Sequence, residues 1–168
     1  MFLKIIFFPV LLMNGITQIK EVQSFSKFRK LILNLDDGRP PSRPIYSIFN
    51  PLGVKYLTRL RVQLSHLNEH KFNHNFQDCI NPICDNCGMN IESNTHFFLD
   101  CRQYTSLRAE LMNELRMIDE NILRLSRDCL VNIILFGDPK YNSLDNCRIL
   151  NASISFILRS KRFKGSLI

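Results

Sequence analysis

Cys84, Cys87, His96 and Cys101 follow one another as C-x2-C-x8-H-x4-C inside the run CINPICDNCGMNIESNTHFFLDC. Three sulfurs and an imidazole are donors that Zn2+ takes in a tetrahedron, and a structural site fills all four positions with protein. A Cys-x-x-Cys turn brings two sulfurs to one side because the backbone between them folds back. Asp85-Asn86 favours such a turn. Gly88, directly after the second cysteine, permits a positive φ that lets backbone amides point at the thiolates. His96 and Cys101 are expected to arrive on a short helical segment capped by Asn94 or Thr95. Their five-residue offset exceeds one helical turn, so Cys101 is expected at or just beyond its end. The expected ion is structural Zn2+, since a closed shell leaves no open position for water. Cys79 stands five residues ahead of Cys84 and is an alternative lead ligand. Cys129 and Cys147 lie in apolar surroundings and read as small core residues.

His66, His70 and His74 recur at i, i+4 and i+8 in SHLNEHKFNH, and Glu69 beside them invites a hydrolase reading. The pattern is not HExxH, and nothing else supplies an open metal site. With Lys71, these histidines read instead as a polar face that touches phosphate or the protein surface.

The elements that must position these residues read as helices. Phe25, Phe28, Leu31, Ile32 and Leu35 recur at helical spacing after a Ser24 cap, and residues 39–51 hold four prolines and read as a linker. A second helix is expected from about Gly53 with Leu57, Leu60, Leu64 and Leu67 as its stripe, leaving Arg59 and Arg61 off the stripe and available to a partner. Residues 72–95 read as loop. A third helix is predicted over 105–118, with Leu107, Leu111, Leu115 and Ile118 on one face. Leu130 to Phe136 is a short apolar piece of either type. A last helix is predicted over 146–163, with Leu150, Ile154, Ile157 and Leu158 inward. The Arg159, Lys161, Arg162 and Lys164 at its end suit the negative pole of a helix and equally suit phosphates. Phe72, Phe76 and Phe97 read as core, although any of them left exposed would favour stacking on single strands. Loop residues such as Met89 or Ile91 are candidates to touch bases.

The net charge is +7, and residues 20–71 hold ten Lys or Arg against four acids, while from residue 79 onward the count is eleven against ten. A basic half beside a near-neutral half suits a polyanion, because each neutralised phosphate releases counterions. It also suits a plain solvated face. The apolar run over 5–13, behind Lys4, is too short to span a bilayer and is broken by Pro9, so no membrane partner is expected. With Gly15-Ile16-Thr17 it has the pattern of a secretory signal peptide; the other reading is a core segment truncated by an internal start. Cysteines at ligand spacing, rather than paired as disulfides, favour the second reading and an intracellular setting, cytoplasmic or nuclear.

The run YLTRLRVQLSHLNEHKFNHNFQDCINPICDNCGMNIESNTHFFLDC resembles the C-terminal tail of jockey-type non-LTR retrotransposon reverse transcriptases. Phe7-Phe8-Pro9 and SFSKFRKLIL resemble the segment before that tail, and ILFGDP and ILNASISFILRSKRF resemble the segment after it. The resemblance implies a zinc knuckle beyond a polymerase, helping to hold RNA or target DNA, and association with a reverse transcriptase. It implies nucleic-acid contacts from Thr58, Arg59 and Arg61, to which the polar face adds His66, His70 and Lys71. It also implies zinc ligation by Cys84, Cys87, His96 and Cys101. Family members often have one residue between the first two cysteines, which leaves open whether Cys79 or Cys84 leads. The polymerase's aromatic-x-Asp-Asp turn has no counterpart, since Asp36-Asp37 lacks the aromatic, so the chain is expected not to be an enzyme. The expected architecture is mostly α, a small helical domain organised around a zinc-knuckle loop. Its expected segments are 1–50 (helix and Pro-rich linker), 51–105 (basic helix and knuckle) and 106–168 (C-terminal helices).

Overall fold

A computed structural model of the chain describes residues 50–163. The expected helix over 25–35, nearly all of the linker, the apolar run near the start, Asp36-Asp37 and Lys164 lie outside the described residues. Among those described the fold is mostly helical, with a single β-bridge between Ile83 and Ile91. The helices are α1 (Pro51–Arg61), α2 (Asn68–Asn73), α3 (Thr105–Arg116), α4 (Arg127–Phe136) and α5 (Ser143–Ser160). None of them is long and apolar enough to cross a membrane.

Side-chain caps start three of the five helices. Asn50 Oδ1 accepts the N–H groups of Leu52 (3.0 Å) and Gly53 (3.2 Å), and Pro51 occupies the first turn, where its missing N–H costs nothing. Ser126 caps α4 and Asn142 caps α5 in the same way. α1 stops six residues earlier than the leucine stripe suggests. Gln63 takes a left-handed φ of 57°, its N–H bonds to Leu60 O (3.2 Å) and the Leu64 N–H bonds to Arg59 O (2.9 Å). These are the two bonds of a Schellman closure, made here without glycine. Leu64 is thereby thrown into solvent, whereas Leu67 is fully buried at the entry to α2. The apolar piece over 130–136 proves helical and almost wholly buried. α5 begins at Ser143 and ends at Ser160, with Leu150, Ile154 and Ile157 inward as expected and Leu158 half-buried.

Residues 51–105 and 106–163 share one core. Phe97 lies at its centre, with ring centroids 4.9 Å from Phe98, 5.3 Å from Tyr104 and Phe156, and 5.5 Å from Phe163. Tyr56 of α1 closes the cluster, stacking on Phe163 at 5.3 Å and donating its hydroxyl to the Phe163 carbonyl. Ser153 of α5 donates to the Ile134 carbonyl of α4 at 2.7 Å.

α1 can lie this close to α5 because Gly53 has no side chain: a Cβ there would stand 2.3 Å from Ile154 Cγ2. Helix propensity alone would make alanine the better residue by about 1 kcal/mol. Overpacking outweighs that gain, so Gly53→Ala is expected to lower stability by about 1–2 kcal/mol net. The midpoint of urea unfolding reads this; an unchanged or raised midpoint contradicts the close approach.

Candidate metal centre

The cysteine stretch folds as a small hairpin around its first two cysteines. Glu92 N–H bonds to Pro82 O (2.8 Å) and Cys84 N–H to Asn90 O (2.9 Å), flanking the Ile83–Ile91 bridge. Gly88 turns the tip with a φ of 65° and bonds back to Cys84 O at 2.7 Å. This folded tip aims backbone amides at sulfur. The N–H groups of Cys87 and Asn86 serve Cys84, and those of Met89 and Asn90 serve Cys87.

His96 and Cys101 come from the other side, at the two ends of one π-helical turn (His96–Asp100). Five residues of α-helix would leave them about 140° apart around the axis. The π-turn instead closes an i→i+5 bond, Cys101 N–H to His96 O at 2.8 Å, and brings both side chains to one side. Cys101 lies just past the helical end, as expected. The cap is Ser93 rather than Asn94 or Thr95, its Oγ accepting the His96 N–H at 3.0 Å. Phe97 and Phe98, between the two ligands, anchor this turn in the aromatic core.

The four donor atoms of Cys84, Cys87, His96 and Cys101 all lie within 4.8 Å of one another. Cys84 Sγ and Cys101 Sγ are 3.9 Å apart, and Cys87 Sγ and His96 Nε2 are 3.3 Å apart. A tetrahedral ion with bonds of about 2.0–2.3 Å needs donor–donor edges of roughly 3.3–3.8 Å. The cluster can therefore hold a metal ion. The imidazole is buried with no partner for Nδ1 among the described residues, and Nε2 faces the sulfurs. Cys79 is outside the cluster, its thiol donating to the carbonyls of Asn68 and Asn81, so Cys84 leads the set.

Burial raises the Cys84 thiol to about 12 and raises Cys101 as well. At Cys87 burial also opposes ionisation, but the Met89 N–H, the Cys84 contact and the Asn90 N–H outweigh it and the net shift is downward. Cations could ionise such thiols where amides alone do not suffice, since a coordinated thiol is deprotonated outright.

A surrounding shell ties the cluster to the rest of the fold, and sequence reasoning missed it. Glu92 is completely buried, accepts Arg162 through Nε and Nη2 at 2.6 Å each, and accepts the Asn68 N–H at 2.8 Å. The Cys84 thiol sits 3.6 Å from the same carboxylate. Asn86 donates to Tyr104 Oη at 2.7 Å, and both terminal nitrogens of Arg108 donate to the Cys101 carbonyl. Glu92 reads as just another loop acid because its partner is 70 residues away.

The predicted nucleic-acid contacts fare unevenly. Arg61 is 1% exposed, donates Nε to the Leu135 carbonyl and lies over the Phe136 ring, so it belongs to the core and not to an outward face. His70 is buried and bonded to Ser65 Oγ (2.7 Å), and burial lowers its pKa to about 4. It is neutral at pH 7 and closed to a phosphate. Arg162, offered as a phosphate ligand, is engaged by Glu92. Thr58, Arg59, His66 and Lys71 are half-buried. Arg59 Nη1 lies 3.4 Å from His66 Nε2, and Lys71 pairs with the exposed Asp78. Burial lowers the His66 pKa, and the positive charges of Arg59, Lys71 and Arg162 lower it further, with Asp78 opposing. His74 is exposed, so the three histidines do not converge on a common centre. Phe97 is core as expected. Phe72 and Phe76 are exposed at 45% and 47%, and Cys129, expected in the core, is also exposed. Cys147 is half-buried.

Comparison of the chain with protein-family models, with curated proteins and with solved structures finds no match.

Proposed function

We propose that the chain is a zinc-stabilised nucleic-acid-binding module, non-catalytic by itself, that acts inside the cell alongside a reverse transcriptase. The zinc part is carried by the convergence of three sulfurs and an imidazole within 4.8 Å, a donor set and spacing that suit tetrahedral Zn2+ better than harder ions. With all four positions filled by protein, the ion's role is to fold the hairpin onto the helices. The nucleic-acid part is supported by Arg59 and Lys71, whose positive charges bear on one imidazole at the surface. The retrotransposon origin rests on the sequence resemblance alone.

A second reading, a vestigial or protein-interaction zinc module without nucleic-acid affinity, is favoured by the burial of Arg61 and the pairing of Arg162 with Glu92. Two cations of the basic set are thereby withdrawn from any partner. One titration separates the readings. Binding of a labelled oligonucleotide is expected at about 50 mM salt and to weaken steeply by about 200 mM. No binding at the lower salt, or binding indifferent to salt, favours the second reading.

A further inference from the structure

Phe72 and Phe76 are the two aromatic side chains among the large apolar residues left exposed in the described part of the chain. Phe72 lies in the last turn of α2, and Phe76 follows the helix after Asn75, which has a left-handed φ of 54°. Asn75 N–H bonds to Phe72 O (3.1 Å) and Phe76 N–H to Lys71 O (3.0 Å). This is again a Schellman closure, and it fixes the backbone under both rings. At 45% and 47% exposure, each ring keeps close to half its surface in water, and neither is paired with another ring among the described residues.

A single exposed apolar residue is ordinary. Two phenylalanines held on one capped segment, with His74 exposed between them, are a more specific arrangement. Lys71, adjoining Phe72, pairs with the exposed Asp78. Asp78 is 68% exposed and the Lys71 side chain 14%, so a phosphate at that ammonium would take the place of a solvent-screened carboxylate. Arg59 stands beside His66, whose surroundings are net positive. Flat apolar rings beside cations match the requirements of unpaired nucleotides, which offer a π-face and a phosphate at each step. A duplex buries its base faces and offers only the phosphates.

We infer that Phe72 and Phe76 form a stacking platform for unpaired bases, flanked by phosphate contacts from Arg59 and Lys71, so that the module takes single-stranded nucleic acid. This rests on the nucleic-acid reading above and adds the strand state and the residues that select it.

The test uses the full chain and three labelled probes of about 12 nucleotides: oligo-uridine, oligo-thymidine and a mixed-sequence DNA duplex. The parent protein is expected to bind at least one single strand more tightly than the duplex. Phe72→Ala with Phe76→Ala is expected to weaken single-strand binding at least about tenfold and leave duplex binding unchanged. Phe72→Tyr with Phe76→Tyr, which keeps the rings, should retain it. Circular dichroism and metal content matching the parent would show that the variants fold. Equal or tighter duplex binding by the parent overturns the platform, as does an alanine pair that changes nothing or weakens both strand states alike; the nucleic-acid reading then survives. Failure of the parent to bind any probe at low salt overturns both, and leaves the rings to a protein partner.

Discussion

Stripping the proposed zinc ion from the folded chain is expected to abolish the hairpin and loosen the aromatic core with it. The expectation rests on the groups left behind without the ion: two buried thiols, one of them raised to about 12, and a buried imidazole whose Nδ1 lacks a partner among the described residues. Structural zinc supplies about 10–16 kcal/mol of apparent folding free energy in small zinc-dependent units. That equals or exceeds the roughly 5–15 kcal/mol by which whole domains are stable. The effect should reach beyond the hairpin because Phe97 and Phe98 lie between His96 and Cys101 and pack on Phe156 and Tyr104. Titration with a strong chelator should therefore erase the near-ultraviolet aromatic signal and the cooperative thermal transition, and zinc should restore both. Cys101→Ala should reproduce the stripped state, and a melting transition unmoved by either treatment would contradict the staple.

The second large effect lies at the ion pair between Glu92 and Arg162. The Glu92 side chain is 1% exposed and that of Arg162 16%; Glu92 takes two guanidinium hydrogen bonds, Asn68 Oδ1 accepts a longer one at 3.3 Å, and the exposed Asp85 lies 3.8 Å away. Burial alone would lower the Arg162 pKa, but Glu92 outweighs it and the net shift is upward. A buried pair is only weakly stabilising relative to an apolar replacement, yet removing one partner leaves an uncompensated charge at a cost of about 3–5 kcal/mol. Arg162→Met should lose about that much, because the buried Glu92 carboxylate keeps the Asn68 N–H but loses its cation beside the Cys84 sulfur. The paired variant Arg162→Met with Glu92→Leu should recover a substantial part, and the difference read from urea unfolding measures the coupling. Single variants within about 0.5 kcal/mol of the parent would show that the link between the end of α5 and the hairpin is ornamental.

The candidate metal quartet is legible because its chemistry leaves few alternatives: the cysteine pair, the glycine after it and a following histidine and cysteine are enough to mark the four side chains that the fold gathers. The helical stripes of α3 and α5 were legible for a similar reason, since leucine and isoleucine at helical spacing have to be buried. What stayed hidden was set by contacts remote in sequence or by backbone geometry with no residue signature. Gln63 takes a left-handed conformation without glycine, so the leucine stripe runs past the true end of α1. The π-turn that reconciles a five-residue spacing with a common centre is set by the packing of Phe97 and Phe98, which no periodicity shows. Arg61 reads as outward because it lies off the leucine stripe; its long stem and fork instead reach the Leu135 carbonyl and the Phe136 ring. Cys129 and the two phenylalanines read as core because they are apolar, and the fold leaves all three exposed.

Metal analysis of the purified full chain tests the central claim most directly. The account predicts one zinc per chain that survives gel filtration, and its loss in Cys87→Ser, the ligand whose replacement disturbs the core least. Zinc-free protein that is folded and carries freely reactive thiols at positions 84, 87 and 101 would contradict it.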